Sequence, residues 1–230
     1  MAFYGQAKAA AKNAIIELRY IRMRTSVDNP MQRVSDFLEH TAAPALKKAG
    51  AGPTGFFASV IAPESPFILM VTSFPDLESV EAMRSAMPAD GEARVESSLL
   101  RAFDGMPAVE PPPTDAKRPA RVFELRMYES NNATTLARKV KMFNDGEIGI
   151  FKRLGMLPVF YGETIVGAKM PNLVYMLSFD DLASRDRLWR AFGADPEWQK
   201  LRSQPGFSDA EIVSNISNAI LRPLSFSSIR

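Results

Sequence analysis

Over residues 14–22 a strand is predicted, in which Glu17 and Arg19 alternate with Leu18 and Tyr20 at period 2. From Met31 the period lengthens to that of a helix, with Val34, Phe37, Leu38, Thr41, Ala45 and Leu46 on one stripe and Gly50 placed to close it with a left-handed C-cap. Strands are predicted next at 55–62 and 67–74 around the turn Pro63-Glu64-Ser65-Pro66, then a shorter helix carrying Leu77, Val80, Met83 and Met87, then a strand near 93–103. The order β-α-β-β-α-β then recurs: strand 121–128, a helix over 134–154 through Leu136, Val140, Phe143, Phe151 and Leu154, strands 157–166 and 172–179, helix 182–193 and a strand near 211–223.

The recurrence extends to the residues. Ile15-Ile16-Glu17-Leu18-Arg19 matches Val122-Phe123-Glu124-Leu125-Arg126, Ser73-Phe74-Pro75-Asp76-Leu77 matches Ser178-Phe179-Asp180-Asp181-Leu182, and Leu99-Leu100-Arg101 matches Ile220-Leu221-Arg222, in the same order. Between the copies, residues 106–119 hold Pro107, Pro111, Pro112, Pro113 and Pro119 and read as an extended linker with no counterpart in either copy. The expected organisation is a first ferredoxin-like repeat at 1–105, the Pro-rich linker at 106–119 and a second ferredoxin-like repeat at 120–230. A four-stranded antiparallel sheet with both helices on one face leaves its other face bare. Near-continuous apolar strands (Val60, Phe67, Leu69, Val71; Tyr161, Ile165, Val174, Met176) call for that face to be buried too. The two sheets are therefore expected to face one another, giving an α+β fold in which tandem βαββαβ repeats form an α+β barrel within one chain.

Composition narrows the chemistry. With 46% hydrophobic and 23% charged residues the chain reads as an ordinary globular protein, long enough to bury its own core. Zero cysteines and the single His40 exclude thiol nucleophiles, iron–sulfur clusters, cysteine zinc sites and multi-histidine metal sites. The formal net charge of +2 is spread without a basic stripe, which argues against nucleic acid as a partner. No apolar run is long enough for a membrane span, and no apolar segment follows Lys8 and Lys12 to make a secretory signal, so a cytoplasmic location is expected.

Strand Phe123-Glu124-Leu125-Arg126-Met127-Tyr128, the helix end Phe151-Lys152-Arg153-Leu154-Gly155, strand Leu173 to Leu182 and the segment Asp195-Pro196-Glu197-Trp198 resemble the NIPSNAP family over roughly 122–222. The first copy resembles it more weakly, keeping Glu17-Leu18-Arg19 but lacking the Asp-Pro-Glu-Trp segment after Met87. The resemblance implies the dimeric α+β barrel variant of the ferredoxin-like fold and supplies no catalytic motif.

Glu17 and Arg19 share one strand face, as do Glu124 and Arg126. If the wholly apolar face lies under the helices, these four point between the sheets. There they either line a polar cavity for a small anionic or amphipathic ligand or form ion pairs that fix strand register. Pro44, and Gly146 with Gly149, place a helix breaker at a similar point in each long helix, and a kink is expected at Pro44. His40 is the sole possible axial ligand for a haem; the reading adopted is no cofactor and no metal, Asp180-Asp181 lacking further carboxylates. Asp195-Pro196-Glu197 reads as helix initiation, and the scattered Gly155, Gly162 and Gly167 as no phosphate loop. Function is expected to be non-catalytic binding or protein interaction, the alternative being a cofactor-independent oxygenase or isomerase working between the sheets. Free strand edges and exposed-looking Phe207 and Phe226 predict a homo-oligomer.

Overall fold

All eight predicted strands form, and the edge strands of each repeat find their partners in the other. The computed structural model describes residues 13–24, 27, 29–86, 94–114 and 119–230; Lys8, Lys12 and Met87, singled out in the sequence, lie outside them. The first repeat contributes β1 (Ile15–Arg22), α1 (Pro30–Phe37), α2 (Ala43–Lys48), β2 (Thr54–Ile61), β3 (Phe67–Phe74), α3 (Leu77–Ala86) and β4 (Arg94–Ala102). The second contributes β5 (Val122–Glu129), α4 (Ala133–Met142), α5 (Ile148–Arg153), β6 (Leu157–Val166), β7 (Asn172–Phe179), α6 (Leu182–Ala194), α7 (Pro196–Arg202), α8 (Asp209–Ile212) and β8 (Asn215–Pro223). Strand order is β1-β3-β2-β8-β5-β7-β6-β4 in a closed antiparallel barrel. The seams between repeats are β2–β8, where Ile61 pairs with Ile220, and β4–β6, where Leu99 pairs with Val166. Closure removes the free strand edges expected to drive oligomerisation.

The internal two-fold reaches the details. Asn29 and Asn132 cap α1 and α4 with their side chains, and Gly50 and Gly155 follow α2 and α5 at φ of +76° and +81°, which only glycine adopts without a Cβ clash. The hairpins β2–β3 and β6–β7 place Glu64 and Lys169 at positive φ, two residues before Pro66 and Pro171. Instead of a simple kink, each long helix carries one π-helical turn, Leu38–Ala42 and Phe143–Glu147, with Ala43 N–H reaching Leu38 O and Ile148 N–H reaching Phe143 O. Pro44 has no N–H to offer the carbonyl four residues back, and the widened turn accommodates that loss.

Ile16, Leu18, Phe57, Leu69, Phe123, Leu125 and Met176 fill the barrel, while separate apolar layers lie under the helices of each repeat. One end of the barrel is sealed by chain outside the strands. The linker's Val109 and the tail's Ile229 both enter the barrel core, tied by Glu110 N–H to Val159 O and by Phe56 N–H and Thr54 N–H to the Ser227 and Ser228 hydroxyls. The linker thus packs rather than hangs free. At the other end Arg22 lies over the rings of Tyr20 and Phe67 and pairs with Glu64 and Glu96.

Three expectations change. Residues 211–212, expected at the start of the last strand, belong to α8 under a Ser208/Glu211 capping box, and β8 starts at Asn215. Phe207 and Phe226 are half-buried against the helical cores, Phe226 packing on Phe56, so neither offers a free aromatic for assembly. Glu17, Arg19, Glu124 and Arg126 do not point between the sheets: Leu18 and Leu125 do, and the charged faces turn to the helices. The apolar cluster inside the barrel draws on the strands and the segments that seal its end and on no helix, whereas on the outer faces the helices bring donors to a buried carboxylate.

Candidate functional site

In the first repeat Glu17 is fully buried, and its Oε1 accepts from Arg19 Nη2 at 3.1 Å and from Arg84 Nη2 of α3 at 2.8 Å. The Arg84 side chain remains 47% exposed and forms one wall of a groove of about 410 Å³ whose other lining residues are Leu77, Val80, Glu81 and Leu99. Leu77, Val80 and Arg84 come from one face of α3, at the i, i+3, i+7 spacing of an amphipathic helix, and Leu99 from the seam strand β4. The result is an apolar floor beside a guanidinium held in place by a buried carboxylate.

In the second repeat the corresponding positions carry other side chains. The repeat offset puts Trp189 at the position of Arg84 and Arg185 at that of Val80. The fully buried Glu124 accepts from Arg185 Nη2 at 2.7 Å and Nε at 2.9 Å, from Trp189 Nε1 at 2.7 Å and from Arg126 Nη1 at 2.9 Å. Arg126 also lies over the Trp189 ring and donates to the Tyr128 hydroxyl, which in turn accepts from Tyr175. The ring face and the carboxylate together stabilise the guanidinium.

A second buried ion cluster adjoins it. Lys139 Nζ, buried among Tyr128, Phe143 and Trp198, donates to Glu147 Oε2 at 3.3 Å and to Asp209 Oδ1 of α8 at 3.2 Å. Burial lowers the lysine's pKa, but the two carboxylates outweigh it and leave the ammonium more firmly protonated than usual. Burial pushes the Glu147 carboxyl up, with one cation shared between two anions offsetting it only in part. Burial likewise pushes the Tyr161 and Tyr175 hydroxyls well above their ordinary range, so both stay neutral.

The first repeat serves as a control for what this architecture requires. Val34, Ala42, Ile21, Phe56 and Met70 stand where the second repeat has Lys139, Glu147, Tyr128, Tyr161 and Tyr175, and those five pack in or against the apolar layer under α1–α3. The βαββαβ unit therefore closes without the polar set. The Tyr161 hydroxyl is buried with no hydrogen-bond partner among the described residues. Tyr161→Phe, which installs the first repeat's residue, should stabilise the protein by about 1 kcal/mol in chemical denaturation, since an unsatisfied buried hydroxyl costs that much or more.

The four residues singled out in the sequence thus sit in two separate clusters, one per repeat, rather than around one cavity. Pattern reading missed Arg84, Arg185, Trp189, Lys139 and Glu147. Lys139 was visible as a charge flanked by Leu136 and Val140, and Arg84 and Trp189 as one repeat position with unlike residues. His40 lies exposed on the π turn. Asp181 caps α6 through Ser184 N–H, and Asp195 caps α7 through Glu197 N–H and Trp198 N–H. Burial raises the Asp195 carboxyl, but those bonds and Arg153 outweigh it and hold its pKa below the ordinary value. Among the described residues no three His, Cys, Asp or Glu are grouped to hold a metal ion, and no helix is long and apolar enough to cross a membrane.

Compared with known proteins, the NIPSNAP family profile matches residues 123–228. The second repeat is a NIPSNAP domain. An uncharacterized NIPSNAP-like domain protein from Burkholderia xenovorans is 26% identical over 47% of this chain and 89% of its own, with a TM-score of 0.42. Nearly the whole chain superposes on a candidate monooxygenase from Lactobacillus acidophilus NCFM, at 11% identity, 92% of this chain, 94% of that one and a TM-score of 0.57. It also superposes on an anthrone oxidase-like protein, at 8% identity, 92% of each chain and a TM-score of 0.55. At such identities the likeness concerns the fold, an α+β barrel of two ferredoxin-like halves. No curated protein is significantly similar to the sequence.

Proposed function

We propose that the protein is a non-catalytic binding module that holds a small amphipathic molecule in the groove of the first repeat. The observation that carries this reading is the juxtaposition of an apolar floor, Leu77, Val80 and Leu99, with Arg84 as a polar wall oriented by buried Glu17. An apolar body gains by covering the floor, and a polar head gains a charge-assisted hydrogen bond at the guanidinium. Trp189 at the Arg84 position assigns the second repeat a supporting role at this level of the fold. The cysteine-free chain suits the reducing cytoplasm to which we assign it.

Fluorescence titration with 8-anilinonaphthalene-1-sulfonate, a fused apolar ring bearing one anionic group, tests the proposal. The native protein should bind the probe saturably. Leu77→Glu, a change on an exposed side chain, should weaken binding about tenfold or more by placing a carboxylate on the floor. Leu182→Glu, the equivalent change in the second repeat, should leave affinity unaltered. Unsaturable binding, or equal loss in both variants, would refute the groove as the site.

A further inference from the structure

Nine large apolar side chains are exposed among the described residues: Val27, Leu77, Leu182 and six that gather at one end of the barrel. Val60 and Ile61 end β2, Val166 ends β6, Met170 lies in the β6–β7 turn, and Val95 and Ile216 are the second residues of β4 and β8. Antiparallel order puts all six at one end of the barrel, the end bearing the two hairpins, opposite the end sealed by Val109 and Ile229. Four of them form repeat-related pairs, Ile61 with Val166 at the two seams and Val95 with Ile216. Clustered exposed apolar side chains of this kind mark interaction surfaces in soluble proteins.

The hairpin turns carry the information that selects the partner. Glu64 and Lys169 occupy the same turn position in the two repeats, with φ of 56° and 58°, and carry opposite charges. Each has a partner within its own repeat, Arg22 at 2.9 Å and Glu129 at 4.0 Å, yet their side chains stay 67% and 52% exposed. In the strand order the pairs β3–β2 and β7–β6 stand diametrically opposite. A second copy turned over by a two-fold axis perpendicular to the barrel can therefore place its Lys169 hairpin over Glu64 and its Glu64 hairpin over Lys169, making the same contact twice. The orientation that stacks like hairpins sets Glu64 on Glu64 and is disfavoured. Arg22 and Lys169 alternate with Glu64, Glu96 and Glu129 at this end, a mixed pattern that complements another copy of itself better than a uniformly anionic surface.

We propose that this hairpin end is a self-association surface, on which two copies stack barrel to barrel in a symmetric dimer with Glu64 facing Lys169 of the second copy. The proposal is independent of the ligand groove, which lies on the flank of the barrel beside α3.

Light scattering coupled to size-exclusion chromatography at micromolar concentration should give twice the 25.4 kDa chain mass. Lys169→Glu puts two carboxylates at each contact and Glu64→Lys two ammonium groups; each variant alone should dissociate at least tenfold more readily. Mixed one to one, the two variants should recover the dimer, because each mixed pair restores two opposite-charge contacts. Local structure cannot produce that recovery: within its own chain the Glu64→Lys side chain still faces Arg22, and the Lys169→Glu side chain still faces Glu129. Ile61→Asp should give a monomer that the charge mixture does not rescue. A native protein that is monomeric, single variants that dimerise undiminished, or a mixture that stays monomeric would each overturn the proposal. So would a monomer that instead sediments with phosphatidylcholine–phosphatidylserine vesicles, which would make the rim a lipid-facing surface.

Discussion

Glu124→Ala will lower the melting temperature by about 6 to 20 °C, the largest loss expected from any single truncation in the molecule. Removing one partner of a buried ion pair costs roughly 3 to 5 kcal/mol, and 1 kcal/mol moves the transition of a chain this size by about 2 to 4 °C. Glu124 is the common acceptor of Arg126, Arg185 and the Trp189 indole, so its loss strands two guanidinium groups and an N–H. Glu17→Ala is the matched comparison and should cost less than half as much. Arg84, 47% exposed where Arg185 is 22% exposed, can turn its guanidinium to water when Glu17 is gone. Differential scanning calorimetry of the two variants side by side decides it, and equal losses would show that burial of the arginine does not govern the cost.

The second large effect belongs to Lys139. Lys139→Met keeps the length of the side chain but leaves Glu147 buried without its cation, at a cost of roughly 3 to 5 kcal/mol near neutral pH. That loss should depend on pH in a defined direction. The Glu147 pKa is already raised above 4.5, so its contribution to stability is fully present below 4.5 and is lost as pH rises through the folded-state value. Removing the lysine raises the folded-state value further. The gap in melting temperature between variant and native protein should therefore be widest near pH 8 and shrink toward pH 4.5, where Glu147 is protonated in both. Adding Glu147→Leu to Lys139→Met should recover most of the loss, as the first repeat's Val34 and Ala42 already suggest. A gap that widens on acidification would contradict the assignment.

The strand order within each repeat, the recurrence at 105 to 107 residues and the pairing of the repeats into a barrel were legible because periodicity and the Glu-Leu-Arg strands survive in both copies. The strand faces were not. Alternation in β1 separates Ile15, Glu17, Arg19 and Ile21 from Ile16, Leu18, Tyr20 and Arg22, and both sets mix apolar with charged residues. Which set enters the barrel depends on whether the covering helix supplies partners for a carboxylate. Arg84, Arg185 and Trp189 do so, from positions whose facing strand only the assembled fold reveals. The groove was illegible for a related reason: it exists because α3 carries Val80 and Arg84 where α6 carries Arg185 and Trp189, and a volume difference between repeats has no periodic signature.

The closed order of strands has a kinetic meaning. Only β2–β3 and β6–β7 pair strands joined by a short hairpin; β1–β4 and β5–β8 join residues roughly 80 and 90 apart within a repeat, and the β2–β8 seam between repeats joins residues roughly 160 apart in sequence. Neither repeat can satisfy its outer strands until the other has folded, so the chain should cross its main barrier once, as a single unit, and slowly for its size. A cut in the connecting segment would then yield two fragments that remain associated and unfold together, each acting as the other's missing edge.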